Sequence, residues 1–230
     1  MKIIDCEQGT DSWYQARLGI PTASGGDQIV TPKTMKPSAS QGPYMAKLLA
    51  EWLLGASLDQ AATPFMDRGK EMEPSACDWY GFTRDVDAQR VGFCLHDAMS
   101  AGCSPDRLVD DDGGLEVKCL SPAQHMAVWL AHEQGKDVAA DHRVQVQWNL
   151  WITGRRWWDL LYYHPSLPKV CVRVERDETF IESLAACVAD FADRLDDAKR
   201  QLADVKAEND RAREAARAAA SSHPFDYAVA

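Results

Sequence analysis

The stretch GLEVKC, residues 114–119, has the length and character of a core strand, yet it carries two charges, Glu116 and Lys118. Successive side chains of a strand point to opposite faces, so this spacing sets an acid and a base on one face and turns Leu115, Val117 and Cys119 toward the core. Taken alone, Glu-x-Lys describes a solvated strand face. Upstream, however, SPD ends at Asp106, and the turn-forming run DDDGG (110–114) leads into the strand. A short connection between paired strands would bring Asp106 beside Glu116.

Two carboxylates held that close repel when both are ionised, and such a pair persists most readily around a divalent cation. Oxygen-only ligands select a hard ion, Mg²⁺ or Mn²⁺, which keeps water in its remaining positions. Water acidified in this way is a nucleophile for phosphodiester hydrolysis. Lys118, on the same face as Glu116, is placed to orient or deprotonate that water and to offset charge on the phosphate.

The rest of the chain sets bounds on this reading. Its 230 residues suit one domain with elaborations. Seven cysteines form no CxxC pair, and an odd number in a chain of this kind suggests reduced thiols, so neither an iron–sulfur cluster nor structural zinc is expected. The formal charge of −10 speaks against a protein that coats nucleic acid generally. Much of the acid lies beyond Asp177 and in the cluster Asp106, Asp110, Asp111, Asp112 and Glu116, where a bound cation would change the local sign. No apolar run is long enough for a membrane span, and Asp5 and Glu7 fall where a signal peptide would be apolar; a cytoplasmic protein is expected.

The pattern predicts a brief helix over TDSWYQARLG, another near Ser24, a mobile loop over 31–43 and a helix from Tyr44 to Leu54. In MDRGKEMEPSACDWYGF the second half reads as helix, with Pro74 placing Glu73 at a helix start or kink. RVGFCLH, RLVDD and GLEVKCL read as three strands. A long connection with some helical character covers 120–141, and HRVQVQWNLWIT reads as a helix with Val144, Trp148 and Trp151 on one face. WWDLLYY and VCVRVER form a strand pair, and one long heptad-patterned helix runs from Glu178, ending in an untethered tail, SSHPFDYAVA. The expected fold class is α/β, with a central mixed sheet flanked by helices and a long C-terminal helix. Residues 1–202 are expected to form the catalytic domain and 203–230 a helical extension and tail.

Of the remaining features, Trp148, Trp151 and Trp158 read as core or subunit-interface packing rather than base-stacking platforms. Arg155 and Arg156 could lie along a DNA channel. His125, His132, His164 and His223 lack metal-like spacing and read as ordinary surface or loop residues.

Asp106 with Glu116-x-Lys118 is the PD-(D/E)xK nuclease signature, and the chain as a whole resembles the phage lambda exonuclease, or YqaJ-type viral recombinase, family. WYQARLGIPTAS (13–24) resembles its W…R-L-G…T-A-S element, RGKEME (68–73) its G-x-x-x-E element, and VQVQWNLWIT (144–153) its Q-x-Q helix. WWDLLYYHP and VERDETF continue in order, so the resemblance spans residues 10 to 200. It implies a restriction-endonuclease-like core in which Asp106, Glu116, the carbonyl of Val117 and Glu73 hold Mg²⁺ (or Mn²⁺). Lys118 would be the catalytic lysine and Gln145 would position the nucleophile or the scissile phosphate. Arg17 and Ser24 would hold the 5′-phosphate of a DNA end, roles that suit a guanidinium fork and a helix start.

The activity it implies is 5′-to-3′ degradation of linear double-stranded DNA to a 3′ single strand, by a homotrimer that encloses DNA. The implied partner is a phage single-strand annealing protein, in the cytoplasm of a bacterial host. The other readings are a structure- or site-specific endonuclease on the same metal core, and a non-catalytic DNA-end binding module. The chain departs from the family pattern at Arg107, at Pro74 and at His142, one turn before Gln145.

Overall fold

The computed structural model describes residues 1–58 and 64–221. His223 and nearly all of the expected tail lie outside the described residues. Among the described residues, eight helices and eight strands follow in the order β1 (Lys2–Ile4), α1 (Asp11–Arg17), α2 (Gly26–Ile29), α3 (Gln41–Leu54), α4 (Pro64–Arg84), β2 (Ala88–Gln89), β3 (Phe93–Leu95), β4 (Gly102–Cys103), β5 (Arg107–Val109), β6 (Gly113–Lys118), α5 (Pro122–Glu133), α6 (Arg143–Thr153), β7 (Trp157–Tyr162), β8 (Val170–Glu175), α7 (Glu178–Gln201) and α8 (Ala203–Ser221).

The central sheet has the order β2-β5-β6-β7-β8, with β6 and β7 parallel and the other neighbours antiparallel. GLEVKC therefore lies in the middle strand of a mixed sheet, as expected. Gly113 and Gly114 open β6 beneath the indoles of Trp157 and Trp158, where an added Cβ would come within 2.1 and 2.3 Å of ring carbons. Only glycine admits that approach.

Helices cover both faces. On one face α4 buries Ala76, Cys77 and Tyr80 against Val109, Leu115 and Leu161. The Tyr80 hydroxyl donates to Asp159 Oδ2 (2.7 Å), and Arg173 donates to both oxygens of the same carboxylate, so this buried acid is paired as burial requires. On the other face α6 buries Val146 and Leu150 against Leu108 and Trp158. Leu115 thus faces α4, while Glu116 lies beneath α6. The alternation across β6 is the one expected, but the charged face is covered by a helix.

A second core lies beyond α6. Leu184, Val188, Phe191 and Leu195 of α7 recur by four and three, and pack with Ile29, Val30, Tyr44, Leu48 and Trp148. Trp148 and Trp158 are fully buried, which makes them packing residues.

RVGFCLH is a strand, as expected; as β3 it pairs with β1 and β4 in a separate three-stranded sheet. Other expectations are refined or corrected. The connection after β6 contains a true helix, α5, capped by Ser121, which accepts from Gln124 N, with Pro122 at its first position. Helix α3 begins at Gln41, because Pro43 is tolerated in a first turn. The whole of 64–84 is one helix, so Glu73 sits in its interior with Pro74 inside the helix. The heptad run is divided at Leu202, and α8 lies against α3, where Arg213 donates to Leu53 O (3.0 Å) and Lys206 lies over the Trp52 ring. His125 and His164 are buried rather than superficial: His125 approaches Pro168 O (2.7 Å), and His164 approaches Arg68 (2.9 Å).

Candidate active site

Strand β6, the segment entering β5 and helix α6 converge on one knot of polar side chains. Antiparallel pairing of β5 with β6 sets Arg107 opposite Leu115, which brings the preceding Asp106 alongside Glu116 and Val117. Asp106 Oδ2 accepts the Val117 backbone N–H at 2.6 Å. Lys118 Nζ donates to Glu116 Oε1 (2.8 Å) and to Gln145 Oε1 (3.0 Å). Gln145 Nε2 donates back to the same Glu116 oxygen (2.7 Å), closing a three-membered ring of contacts. Asn149, one turn further along α6, donates to the other oxygen, Glu116 Oε2, at 3.4 Å.

Burial makes the electrostatics strong. Asp106 is held well above the usual carboxylate range by desolvation first, then by the charges of Glu116 and Glu73, which outweigh the Val117 N–H and Lys118. Desolvation pulls the Lys118 ammonium down, but the charge and hydrogen bond of Glu116, with Asp106, carry it above its ordinary value. Lys118 is therefore a cation at neutral pH in this arrangement. Glu73 stands to one side, 4.0 Å from the Arg107 guanidinium, and reaches the centre through its field on Asp106.

The donor set suits a hard divalent ion. Among the described residues no three His, Cys, Asp or Glu side chains are grouped to hold a metal. Mg²⁺ is commonly bound through one or two carboxylates, the remaining positions being filled by water and substrate phosphate. Asp106 and Glu116 meet that requirement, and the upward shift of Asp106 reflects like charge that a cation would offset.

Arg17 and Ser24 lie on a cleft that also reaches Gln145 and Asn149, with Trp13, Thr22 and Ser104 among its other lining residues. The Arg17 guanidinium lies over the Trp13 ring, 3.9 Å from its centroid, and donates to Thr22 Oγ1 at 3.5 Å. Thr22 Oγ1 is in turn 3.3 Å from Ser24 Oγ. The Trp13 indole N–H donates to Ser104 Oγ (2.9 Å), two residues before Asp106. The segment at Ser24 is a 3₁₀ turn leading into the four-residue α2, so Ser24 offers its hydroxyl rather than a helix terminus.

Residues 12–156 match the family model of the YqaJ-like viral recombinase domain, which is more than half of the chain. The chain belongs to this family. Among solved structures it is similar to an alkaline exonuclease, LHK-Exo, from Laribacter hongkongensis: 30% identity, TM-score 0.69, covering 90% of this chain and 98% of that one. The complex of LHK-Exo with dAMP matches at 32% identity and TM-score 0.69, covering 90% and 99%. A phage related exonuclease from Haemophilus somnus 129PT, at 13% identity and TM-score 0.59 over 87% and 97%, shares the fold. A comparison with curated proteins finds no match.

Within this YqaJ-like domain, the structure brings together Asp106, Glu116, Val117, Lys118 and Gln145, and Gln145 also lines the cleft that holds Arg17 and Ser24. Three further residues of the site are Trp13, Ser104 and Asn149. Asn149 had a sequence signal, since four residues after Gln145 is the same face of a helix. Trp13 and Ser104 lie within the WYQARLG and SPD stretches, but their contact with each other, which joins segments far apart in the chain, had no signal. The Arg155 guanidinium donates to the carbonyls of Val109, Asp110 and Gly113 and holds the acidic turn before β6.

Proposed function

We propose that the chain is a metal-dependent exonuclease that degrades linear double-stranded DNA from 5′ ends and leaves a 3′ single strand for recombination. One observation carries the reading: Gln145, hydrogen-bonded to both Glu116 and Lys118, lines the same cleft as Arg17 and Ser24. A cleft with hydrolytic chemistry at one end and a guanidinium and hydroxyl at the other suits a strand terminus. Family membership supports it, as do the alkaline exonuclease neighbours, one of them bound to a nucleotide.

In this reading Asp106 and Glu116 hold Mg²⁺ or Mn²⁺, with the Val117 carbonyl and Glu73 as further oxygen donors. When bound, the ion supplies Lewis acidity to the phosphate and a more acidic water for in-line attack. Lys118, kept protonated by its carboxylate neighbours, donates its charge to the phosphate oxygens, and Gln145 fixes the ammonium from its other side. Arg17, already braced against Trp13 and Thr22, forks the terminal 5′-phosphate, and Ser24 adds a hydroxyl donor. In this reading the cleft would favour an end and set the first phosphodiester bond near Glu116 and Lys118.

The family resemblance supports a ring-shaped homotrimer, a single-strand annealing protein as partner, and action in the cytoplasm of a bacterial host by a phage- or prophage-encoded protein. Light scattering tests the trimer, with an expected mass about three times 25.6 kDa. The activity itself is tested with linear and covalently closed duplex in Mg²⁺. Loss of the linear form alone is expected. Rapid nicking of the circle would point instead to an endonuclease, and binding of ends without hydrolysis to a non-catalytic module.

A further inference from the structure

We propose that Asn149 is a positioning residue, which orients the metal-binding carboxylate of Glu116; the inference rests on the nuclease reading above. Asn149 and Glu116 are both buried, at 1% and 5% exposure, so each polar contact between them replaces one that water would have made. The two oxygens of Glu116 are held separately. Oε1 receives Lys118 and Gln145, while Oε2 receives Asn149.

The terminal torsion of a glutamate is broad, so a carboxylate held at one oxygen can still turn. A donor on each oxygen fixes its plane. Gln145 and Asn149 lie one turn apart on α6, and this rigid helix is therefore the frame against which the carboxylate is set. The intervening amide is engaged elsewhere, since Gln147 donates to Glu175 O (2.8 Å) and accepts from Asp177 N (3.0 Å), tying α6 to the junction between β8 and α7. Asn149 also lines the cleft shared by Gln145, Arg17 and Ser24. It therefore bounds the substrate space while holding the ligand.

Fixing the carboxylate before the ion arrives reduces the ordering cost of binding, and residues that support metal ligands in this way typically change metal affinity by roughly 10–100-fold when removed. The test is Mn²⁺ binding to the metal-free full-length chain without DNA, followed by loss of the free-ion electron paramagnetic resonance signal. Asn149→Leu keeps the branching and the number of side-chain heavy atoms and removes the donor; Asn149→Ser, whose hydroxyl is too short to reach Glu116, is the smaller second variant. Circular dichroism establishes which variants are folded.

A folded variant is expected to bind Mn²⁺ at least tenfold more weakly. Its metal requirement for half-maximal hydrolysis should rise in step, and raising Mn²⁺ above the weakened affinity should restore hydrolysis. A folded variant with wild-type Mn²⁺ affinity overturns the role of Asn149 and leaves the nuclease reading intact. A wild-type chain that binds no Mn²⁺ overturns both.

Discussion

At the scale of single residues, the site sets like charges together that a bound cation would offset. Asp106 is half-buried beside Glu116 and within the field of Glu73, and its carboxyl is raised by desolvation and by those charges. The sign of the resulting pH dependence follows from linkage. Because the folded chain binds this proton more tightly than the unfolded chain, Asp106 destabilises the metal-free fold increasingly as pH rises through its elevated value, and the penalty fades as pH falls back through it. Asp106→Asn keeps an oxygen to accept the Val117 N–H and removes the charge. It should stabilise the metal-free protein at neutral pH by about 1 kcal/mol, or roughly 2–4 °C in Tm for a chain of this size, while abolishing hydrolysis. Thermal melts of both proteins in chelator across the pH range check this, and an equal or lower Tm for the variant would contradict it. Lys118→Ala should reduce kcat by roughly 10²–10³-fold, the scale of removing one donor to a developing charge, and single-turnover cleavage measures it.

At the scale of elements, the legible parts are those with local signals. The strand β6 follows from alternation, α6 and α7 from their apolar stripes, and the β7–β8 pair from a proline-containing turn. The separate sheet is not legible. Its strands β1 and β4 are two or three residues long, too short for periodicity to show, and are fixed by partners far along the chain. Helix α4 departs from expectation at Pro74, because a proline ordinarily ends or kinks a helix. Tertiary packing of Ala76, Cys77 and Tyr80 against the sheet overrides that preference. Pro74 is exposed and sits inside the helix. Pro74→Ala should therefore raise stability by about 1–3 kcal/mol, read from chemical denaturation. An unchanged or lowered midpoint would show that the proline sets a backbone geometry that α4 requires.

At the scale of the whole molecule, the site joins elements that sequence order keeps apart: α1 and the turn at Ser24, the segment before β5, β6 and α6. Motif spacing identifies most of these residues, because Glu116, Lys118 and Asp106 are close in the chain and Gln145 lies on a well-marked helix. It cannot show that Arg17 and Gln145 line one space, since that depends on Trp13 bridging Arg17 and Ser104. In the proposed function, this continuity is what favours action from a strand terminus over cutting within a duplex.

The rate of hydrolysis of a linear duplex bearing a 5′-phosphate, relative to the same duplex bearing a 5′-hydroxyl, tests that claim most directly. A guanidinium–phosphate contact worth about 1.5–3 kcal/mol predicts a preference of roughly 10–100-fold in the wild-type chain. Arg17→Ala should bring the ratio close to one by slowing the phosphorylated substrate alone. Equal wild-type rates on both ends, or an Arg17→Ala variant that slows both alike and keeps the ratio, would contradict the account.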